Sequence, residues 1–285
     1  MIGQGWRRLG PRDLPALERF LRARETWCAG FSSRLLAHGT LELPAERAGS
    51  VFAEIDPDGE LLKAILFQQG GVWFPVLHGA LGDSGRAAAL AHALERDYAA
   101  FSCMGLTDDA LALEAALGMR PLDTVDYYDL ARDPIPLAVP CPAGASVRLA
   151  TASDYAELLP IQTAYELEEV LLDPSTFDRH ATAAGLKRSL ERELVMVALA
   201  GDAIVAKAQT NARGLGRDQL GGIFVKPAFR GQGYGRLVVG ELVLCLAAEG
   251  RGTSLFVKKA NAPALSLYRS LGFGSVGDFR IDYFA

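Results

Sequence analysis

The sequence predicts an α/β protein built from two similarly folded domains, and three observations support this. Its 285 residues are enough for two ordinary domains. With 50% hydrophobic and 22% charged residues, the composition is that of a globular chain. A proline-rich segment near the middle divides the chain, and similar features follow in the same order on either side of it.

The dividing segment, 133–145, is predicted to be a linker. It contains Pro134, Pro136, Pro140 and Pro142. Prolines at this density favour extended polyproline geometry and remove backbone hydrogen-bond donors. We therefore expect one domain over 1–132 and a second over 146–285.

Matching features indicate that the second half repeats the first. Each half opens on a predicted strand that enters a helix, with Arg8 and Asp13 in the first half and Arg148 and Asp154 in the second. The other matches are a hairpin turn, a Gly-Gly pair and a helix ending in Leu-Gly, at 56–59, 70–71 and 117–118 in the first half and at 201–202, 221–222 and 271–272 in the second.

The most informative stretch is a glycine-rich turn, Arg-Gly-Gln-Gly-Tyr-Gly over 230–235. An apolar run over 220–225 predicts a strand before it, which Pro227 ends because proline cannot donate to a sheet ladder. Residues 236–249 predict a helix after it. Glycines let a backbone approach a phosphate closely, and a helix start offers unpaired N–H groups and positive dipole charge. The sequence therefore predicts a site for a phosphorylated cofactor.

The corresponding stretch of the first half, 77–85, keeps glycines without this spacing. It places Asp83 where a phosphate would sit, and a carboxylate repels an anion. We therefore expect the first half to keep the fold, to lack the cofactor site, and to lend a wall to the substrate cleft or to stabilise the pair.

The glycine turn and the sequence after it together resemble the GNAT N-acetyltransferases. After a second predicted strand over 254–257, the chain has Asn261-Ala262, then Leu-Tyr at 267–268 and Leu-Gly-Phe at 271–273. These match the closing motif of that family, and the strand with Arg-Gly-x-Gly-x-Gly is similar to its acetyl-CoA motif. The resemblance covers 146–285 and, more faintly, the first half. It implies an α+β type fold of two GNAT-like domains, the first degenerate, each a mixed, mostly antiparallel sheet flanked by helices.

The resemblance also implies a cofactor site. In the family, the strand before the glycine turn splays from its neighbour, and the pantetheine arm of acetyl-CoA lies between them. The backbone of Ile223, Phe224 and Val225 would bond that arm, and one of those N–H groups would polarise the thioester carbonyl. Asn261 would contact the cofactor, and Tyr268 would lie near its sulfur as the general acid for the departing thiolate. The pyrophosphate would be held by the amides and side chains of Arg230, Gly231, Gln232, Gly233, Tyr234, Gly235 and Arg236.

The sequence offers no direct match for the group that takes the proton from the attacking amine. Many family members carry a carboxylate on the strand before the turn, where this chain has Gly221 and Gly222. Glu166 or Glu169, which share a face at helical spacing, are the candidates for a base or an amine-binding group. The alternative for these carboxylates is a solvated helix face.

The resemblance implies an N-acetyltransferase that moves an acetyl group from acetyl-CoA to a primary amine of a small molecule or peptide. Direct attack in a ternary complex is expected, because no cysteine in the motif region suggests an acyl-enzyme. A non-catalytic acetyl-CoA-binding module is the alternative that the missing strand carboxylate favours. The tandem arrangement also resembles the mycothiol-synthesising acetyltransferases. We expect a monomer whose domain pair is pseudo-dimeric, or a homodimer.

Composition sets the remaining expectations. The formal net charge of −5 argues against a nucleic-acid partner, and no apolar run is long enough to span a membrane. The cysteines and histidines show no metal-ligand spacing, so we expect no metal, and the scattered cysteines predict mostly buried, reduced thiols in a cytoplasmic protein. These residues are Cys28, Cys103, Cys141, Cys245, His38, His78, His92 and His180.

Overall fold

The structure is a computed structural model that describes residues 5–37, 39–45, 47–95 and 98–284, so His38 lies outside the described residues. The two halves contain the same succession of elements, apart from a small extra hairpin in the first. The first half contains β1 (Gly5–Arg8), α1 (Leu14–Arg22), α2 (Glu25–Leu35), β2 (Leu36–Ala37), β3 (Thr40–Leu41), β4 (Gly49–Ile55), β5 (Leu61–Gln68), β6 (Gly71–Val76), α3 (Gly82–Glu95), β7 (Ala100–Leu106), α4 (Thr107–Leu117) and β8 (Asp123–Arg132). The second half contains β9 (Ala145–Leu149), α5 (Tyr155–Tyr165), α6 (Arg179–Arg192), β10 (Val195–Ala200), β11 (Ala203–Arg213), β12 (Arg217–Val225), α7 (Tyr234–Ala248), β13 (Gly252–Lys258), α8 (Ala262–Ser270) and β14 (Gly274–Tyr283).

The strands form one large sheet in the order β1-β4-β5-β6-β7-β14-β8-β13-β12-β11-β10-β9, while β2 pairs with β3. The β6–β7 and β12–β13 pairs are parallel, and the other neighbours are antiparallel. Helices cover both faces, so each half has one apolar core on each side of the sheet. The predicted fold class, a mixed and mostly antiparallel sheet flanked by helices, is confirmed.

The two halves exchange their last strands. β8, from the first half, lies between β14 and β13, and β14, from the second half, lies between β7 and β8. The β8–β14 ladder runs from the Asp123–Tyr283 pair to the Ala131–Gly274 pair. Each half therefore completes its sheet with a strand from the other. The domain limits expected from the linker remain a prediction, and by its pairing β8 lies among strands of the second half.

The linker is extended and packed against the second half. Residues 133–144 form neither helix nor strand. The Val139 side chain lies so close to Gly240 of α7 that a Cβ there would come within 2.7 Å of it. The Arg132 guanidinium, just before the linker, donates to the carbonyls of Leu271 at 2.9 Å and Asp133 at 3.1 Å. These contacts fix the path of the linker.

Helix α2 of the first half also reaches into the second half. The Glu25 carboxylate, at the start of α2, accepts the backbone N–H groups of Leu215 and Gly216, the latter at 2.7 Å. These two residues form the turn that leads into β12. The first half therefore fixes the beginning of the strand that precedes the glycine turn.

The repeat is confirmed at the opening of each half, with a correction of one residue. Asp154 forms an ion pair with Arg148 at 2.7 Å, and Asp13 forms the same pair at 2.7 Å with Arg7. Arg7, and not the predicted Arg8, is thus the counterpart of Arg148. Neighbouring strand residues point to opposite faces of a sheet, so only Arg7 lies on the face that Asp13 occupies.

The cysteines and helices give three further observations. All four cysteines are free; Cys28 and Cys103 are buried as expected, whereas Cys245 is half-buried and Cys141 is exposed. In the described part of the chain, no group of three or more His, Cys, Asp or Glu residues is arranged to hold a metal ion. None of the described helices combines the length and apolarity that a membrane crossing requires.

A pair of buried carboxyl groups lies beside the exchanged strand. Asp282 of β14 is fully buried and accepts a hydrogen bond from Arg280 at 2.9 Å. Glu114 of α4 is buried against it. Burial, and then the hydrogen bond and charge of Asp282, raise the pKa of Glu114 well above the usual range of a carboxyl group. Glu114 therefore stays protonated and donates a hydrogen bond to the Asp282 carboxylate.

Replacing Glu114 by Gln should change how stability depends on pH. The unfolded chain releases this proton near pH 4.5, whereas the folded protein retains it to higher pH, so wild-type stability falls as the pH rises above 4.5. Glu114→Gln keeps a donor for Asp282 and has no proton to lose. We expect its stability relative to wild type to be greater at pH 8 than at pH 5, measured by thermal unfolding. Asp202→Asn, in an exposed hairpin turn, is the control. An equal difference at both pH values would contradict this assignment.

Candidate active site

The parallel strands β12 and β13 separate part-way along their length. They pair only from Arg217–Gly252 to Leu220–Leu255, although β12 continues to Val225. Among the described strands, none pairs with the backbone of 221–225 on the side facing β13. This is the slot that the family resemblance implies, and it lies beside the three residues predicted to bond the pantetheine arm, Ile223, Phe224 and Val225.

A β-bulge at Gly222 shapes the C-terminal half of β12. Gly222 has φ +57°, and the register with β11 shifts here by one residue. Because a bulge adds one residue to one strand, Leu220 and Ile223 pack against the same core although they are three positions apart. The Gly222 N–H donates to the Tyr165 hydroxyl at 3.3 Å.

The glycine turn leads directly into α7. Gly231 and Gly233 have φ +73° and +91°, values that favour glycine. The helix begins at Tyr234, two residues earlier than predicted, so Tyr234 and Gly235 form its first turn together with Arg236. The N–H groups of a first helical turn have no acceptor within the helix, so these amides can bind an anion. The Tyr234 ring is buried, so this residue offers the site only its backbone.

The polar side chains of the turn are bound to the protein itself. Arg230 donates to Glu168 at 2.8 Å and to the Val225 carbonyl at 3.1 Å. Gln232 donates to the Ala228 carbonyl at 2.9 Å, and Arg236 donates to the Ser270 carbonyl at 2.9 Å. Binding of a phosphate by these three side chains requires them to leave those partners. The backbone amides are available without such a change.

The first half contains the same splay with its loop amides already occupied. β6 pairs with β7 only over 71–73 and continues to Val76. The N–H of Leu77, just beyond, donates to the Asp109 carboxylate at 2.9 Å, and the next two amides also donate to it. Asp109 is buried, while Asp83 is exposed in the first turn of α3. Asp109 is thus the carboxylate that binds the amides of the loop after β6, while Asp83 lies at the start of α3, the helix that corresponds to α7.

Tyr268 lies on α8 beside the slot. Its ring packs edge-on against Phe273, with 6.0 Å between ring centroids, and its hydroxyl makes no hydrogen bond within the described residues. Burial, and to a lesser extent the nearby Tyr165 and Glu169, raise the pKa of Tyr268. The phenol therefore keeps its proton at neutral pH and is available as a donor.

Asn261 caps the helix that carries Tyr268. Its side-chain carbonyl accepts the Ala264 N–H at 3.1 Å, which satisfies one amide at the start of α8. Its side-chain nitrogen lies 3.5 Å from the Glu169 carboxylate. The structure thus gives Asn261 a role in positioning α8, in addition to the cofactor contact that the resemblance implies.

Glu166 and Glu169 do not share a face, contrary to the prediction. Residues 166–170 form a π-helical turn, closed by a bond from the Leu171 N–H to the Glu166 carbonyl. A π turn holds more residues than an α turn, so positions three apart diverge. Glu166 accepts hydrogen bonds from Gln162 at 2.9 Å and from Thr182 at 2.7 Å. Glu169 instead faces Asn261 and Tyr268.

A cavity of about 630 Å³ adjoins the slot, and we refer to it as the α6 cavity. Its walls are α5, the π turn, α6, β11 and β12, so it is formed entirely by the second half. Most of its lining is polar, and Glu166 lies on one wall. Gly222 and Tyr165 also line it, so the cavity and the slot meet at the bulge.

Lys207 is a site residue that the sequence reasoning missed. It lies on β11, fully buried behind the bulge, and its Nζ donates to Gln209 at 2.9 Å. Its Nζ is 5.3 Å from the centroid of the Tyr165 ring. Burial lowers the pKa of Lys207 to about 7, and the charge of Glu166 opposes this. The signal available in the sequence was a single lysine inside the apolar run 203–208.

Comparisons with known proteins agree with this geometry. Residues 202–280 match the family model described as FR47-like protein, whereas no curated protein matches the chain. A GCN5-related N-acetyltransferase from Sphaerobacter thermophilus superposes with a TM-score of 0.59 at 19% identity, covering 97% of this chain and 93% of that one. The chain has the GNAT fold.

A tandem GNAT protein from the clavulanic acid biosynthesis pathway superposes with a TM-score of 0.57 at 17% identity, covering 98% of each chain. A Drosophila protein of a structural genomics programme gives 0.66 at 12% identity, covering 99% of each. The GNAT likeness therefore extends over both halves.

Two glycine substitutions should separate backbone strain from crowding. Gly222→Ala and Gly231→Ala both place a Cβ at positive φ, which costs about 1–2 kcal/mol. A Cβ at Gly231 meets nothing within 4 Å, whereas one at Gly222 comes within 2.8 Å of Lys207 Nζ and of Gln209 Cδ. We expect Gly222→Ala to lower the free energy of unfolding more than Gly231→Ala does, measured in urea. Equal losses would show that the space behind the bulge adjusts freely.

Replacing Lys207 by Met should stabilise the protein, most of all at low pH. The pKa of Lys207 is about 7 in the folded protein, whereas its ordinary value is 10.5. Below pH 7 the buried side chain is charged, and the destabilisation caused by this buried charge then has its full size. This penalty declines as the pH rises from 7 towards 10.5. We therefore expect the gain in unfolding free energy of Lys207→Met to be larger at pH 6 than at pH 9. Lys187→Met, at an exposed position on α6, is the control. A gain that does not change with pH would contradict the proposed burial of charge.

Proposed function

We propose that the protein is an N-acetyltransferase that moves an acetyl group from acetyl-CoA to a primary amine by direct attack in a ternary complex. The observation that carries the proposal is that β12 parts from β13 and then leads, through the glycine turn, to the open amides of a helix start. In the first half, the buried Asp109 carboxylate takes the loop amides after the splay. In the second half, the amides at the start of α7 and the open edge of β12 remain available to a ligand.

The residues of the second half fit the cofactor at both ends of the slot. The amides of Tyr234, Gly235 and Arg236 would hold the diphosphate at the helix start. The backbone of 223–225 would hold the pantetheine arm, and an N–H group there would polarise the carbonyl under attack. When bound, acetyl-CoA supplies the thioester. The first half stabilises this arrangement without lining the α6 cavity, so it supports the site and forms no wall of it.

Tyr268 and Glu166 would carry the two proton transfers. Tyr268 keeps its proton because burial raises its pKa, so it can protonate the departing thiolate. An amine must lose its positive charge before it attacks, and Glu166 is the carboxylate that lies in the cavity wall beside Tyr165. Each Glu166 oxygen accepts one hydrogen bond from the protein and has a lone pair left for an amine. Glu169 faces Tyr268 instead, so we assign it to orienting that phenol.

A non-catalytic acetyl-CoA-binding module is the rival function, favoured by the absence of a carboxylate at Gly221 and Gly222. Release of CoA thiol in the presence of a panel of amines, combined with direct measurement of CoA binding, separates the two. Binding without turnover across the panel would favour the rival. A mycothiol-synthase-like activity is a narrower form of our proposal, and the same panel covers it.

Tyr268→Phe tests the role of the phenol. Loss of a general acid typically lowers the rate by about 10²–10⁴-fold. We expect a fall of this order in kcat, with CoA affinity unchanged within about twofold, because the ring and its packing remain. Tyr155→Phe, at the start of α5, removes a hydroxyl outside the site and should keep wild-type kcat. Wild-type turnover by Tyr268→Phe would remove the phenol from the mechanism.

A further inference from the structure

Two solvent-exposed arginines on one wall of the α6 cavity are unpaired among the residues that the structure describes. Arg188 and Arg192 lie one turn apart on α6, and both line the cavity. Within the described residues, neither makes a hydrogen bond or an ion pair. Arg148, by contrast, is held by Asp154 at 2.7 Å. The two guanidinium groups are therefore free to bind a ligand.

Their arrangement suits an anion. Residues four apart on a helix are neighbours, and like charges in this relation destabilise the helix. An anion bound between them removes that repulsion. Guanidinium groups bind carboxylates and phosphates through paired, charge-assisted hydrogen bonds. The α6 wall therefore favours a carboxylate or a phosphate group on whatever occupies the cavity.

The other end of the cavity has the opposite character. Glu166 lies beside Tyr165, whose hydroxyl binds Gly222 at the junction with the slot. An amine that attacks in the slot must lie at this junction. Glu193, the second carboxylate of the lining, already accepts the hydroxyl of Thr210. The cavity thus offers a carboxylate near the point of attack and two unpaired cations on α6.

We propose that the acceptor is a primary amine that also carries an anionic group, a carboxylate or a phosphate, held by Arg188 and Arg192. The amine would lie at Glu166 and Gly222, and the anion would lie against α6. This inference rests on the proposed function. It narrows the acceptor class from amines in general to amines with a negative group, and the polar lining disfavours a long apolar amine.

Matched pairs of amines test this inference in the full chain. The common amino acids are compared with their carboxamides, and aminoalkyl phosphates are compared with the corresponding amino alcohols. Equilibrium binding is measured by calorimetry with and without CoA, and kcat/KM is measured with acetyl-CoA. We use wild type, the double variant Arg188→Gln/Arg192→Gln, and Lys187→Gln, which removes an exposed charge from the same helix outside the cavity.

We expect wild type to bind at least one anionic amine about tenfold more tightly than its neutral counterpart, and the double variant to lose that preference. Lys187→Gln should keep it. The carboxylate and phosphate arms show which anion is used. Equal binding of charged and neutral partners, binding of neither, or a preference that survives in the double variant would overturn the inference. Failure of CoA to bind wild type would instead count against the proposed function, and the two failures are distinguishable.

Discussion

The pairing of β8 with β14 at the centre of the sheet is the constraint on which the rest of the structure depends. β8 holds one edge of β13, and β13 forms one side of the slot. β14 follows α8 directly, so its position between β7 and β8 determines where α8, and with it Tyr268, lies. Glu25 adds a second tie by holding the turn before β12. Both sides of the slot are thus fixed by contacts with the first half.

The two copies of the fold differ in what lies beyond their parted strands. Both contain a parallel strand pair that separates part-way, so the splay belongs to the fold. In the first copy, Asp109 supplies an internal anion to the loop amides. In the second, Gly231 and Gly233 shape the turn, and none of the carboxylates that the structure describes accepts the amides at the start of α7.

Local signals account for what the sequence predicted. The glycine turn, the strand before it and the Asn261-to-Phe273 motif each lie within a few residues, so their placement could be inferred. The identity of Asp109 as the blocking group could not, because it comes from α4 and reaches the loop only in the folded chain. Tyr165 and the α6 cavity were missed for the same reason, whereas Lys207 had a local signal, a lone lysine in the apolar run 203–208, that was overlooked.

The errors have equally specific causes. Glu166 and Glu169 were predicted to share a face because α-helical spacing was assumed. The backbone there forms a wider π turn, which separates the two side chains. Arg8 was preferred to Arg7 because both positions are arginine. The residue type alone therefore does not reveal a one-residue shift when the two halves are aligned. The exchange of last strands had no sequence signal, because strand pairing between distant segments is set by three-dimensional packing.

The exchange also has a consequence during protein synthesis. β7 leaves the ribosome long before β14, its partner, and the whole second half is translated between them. Until β14 is made, β7 lacks its final partner, and an unpaired strand edge is a ready template for pairing with another chain. A topology in which each copy closed its own sheet would not make β7 wait for the second half.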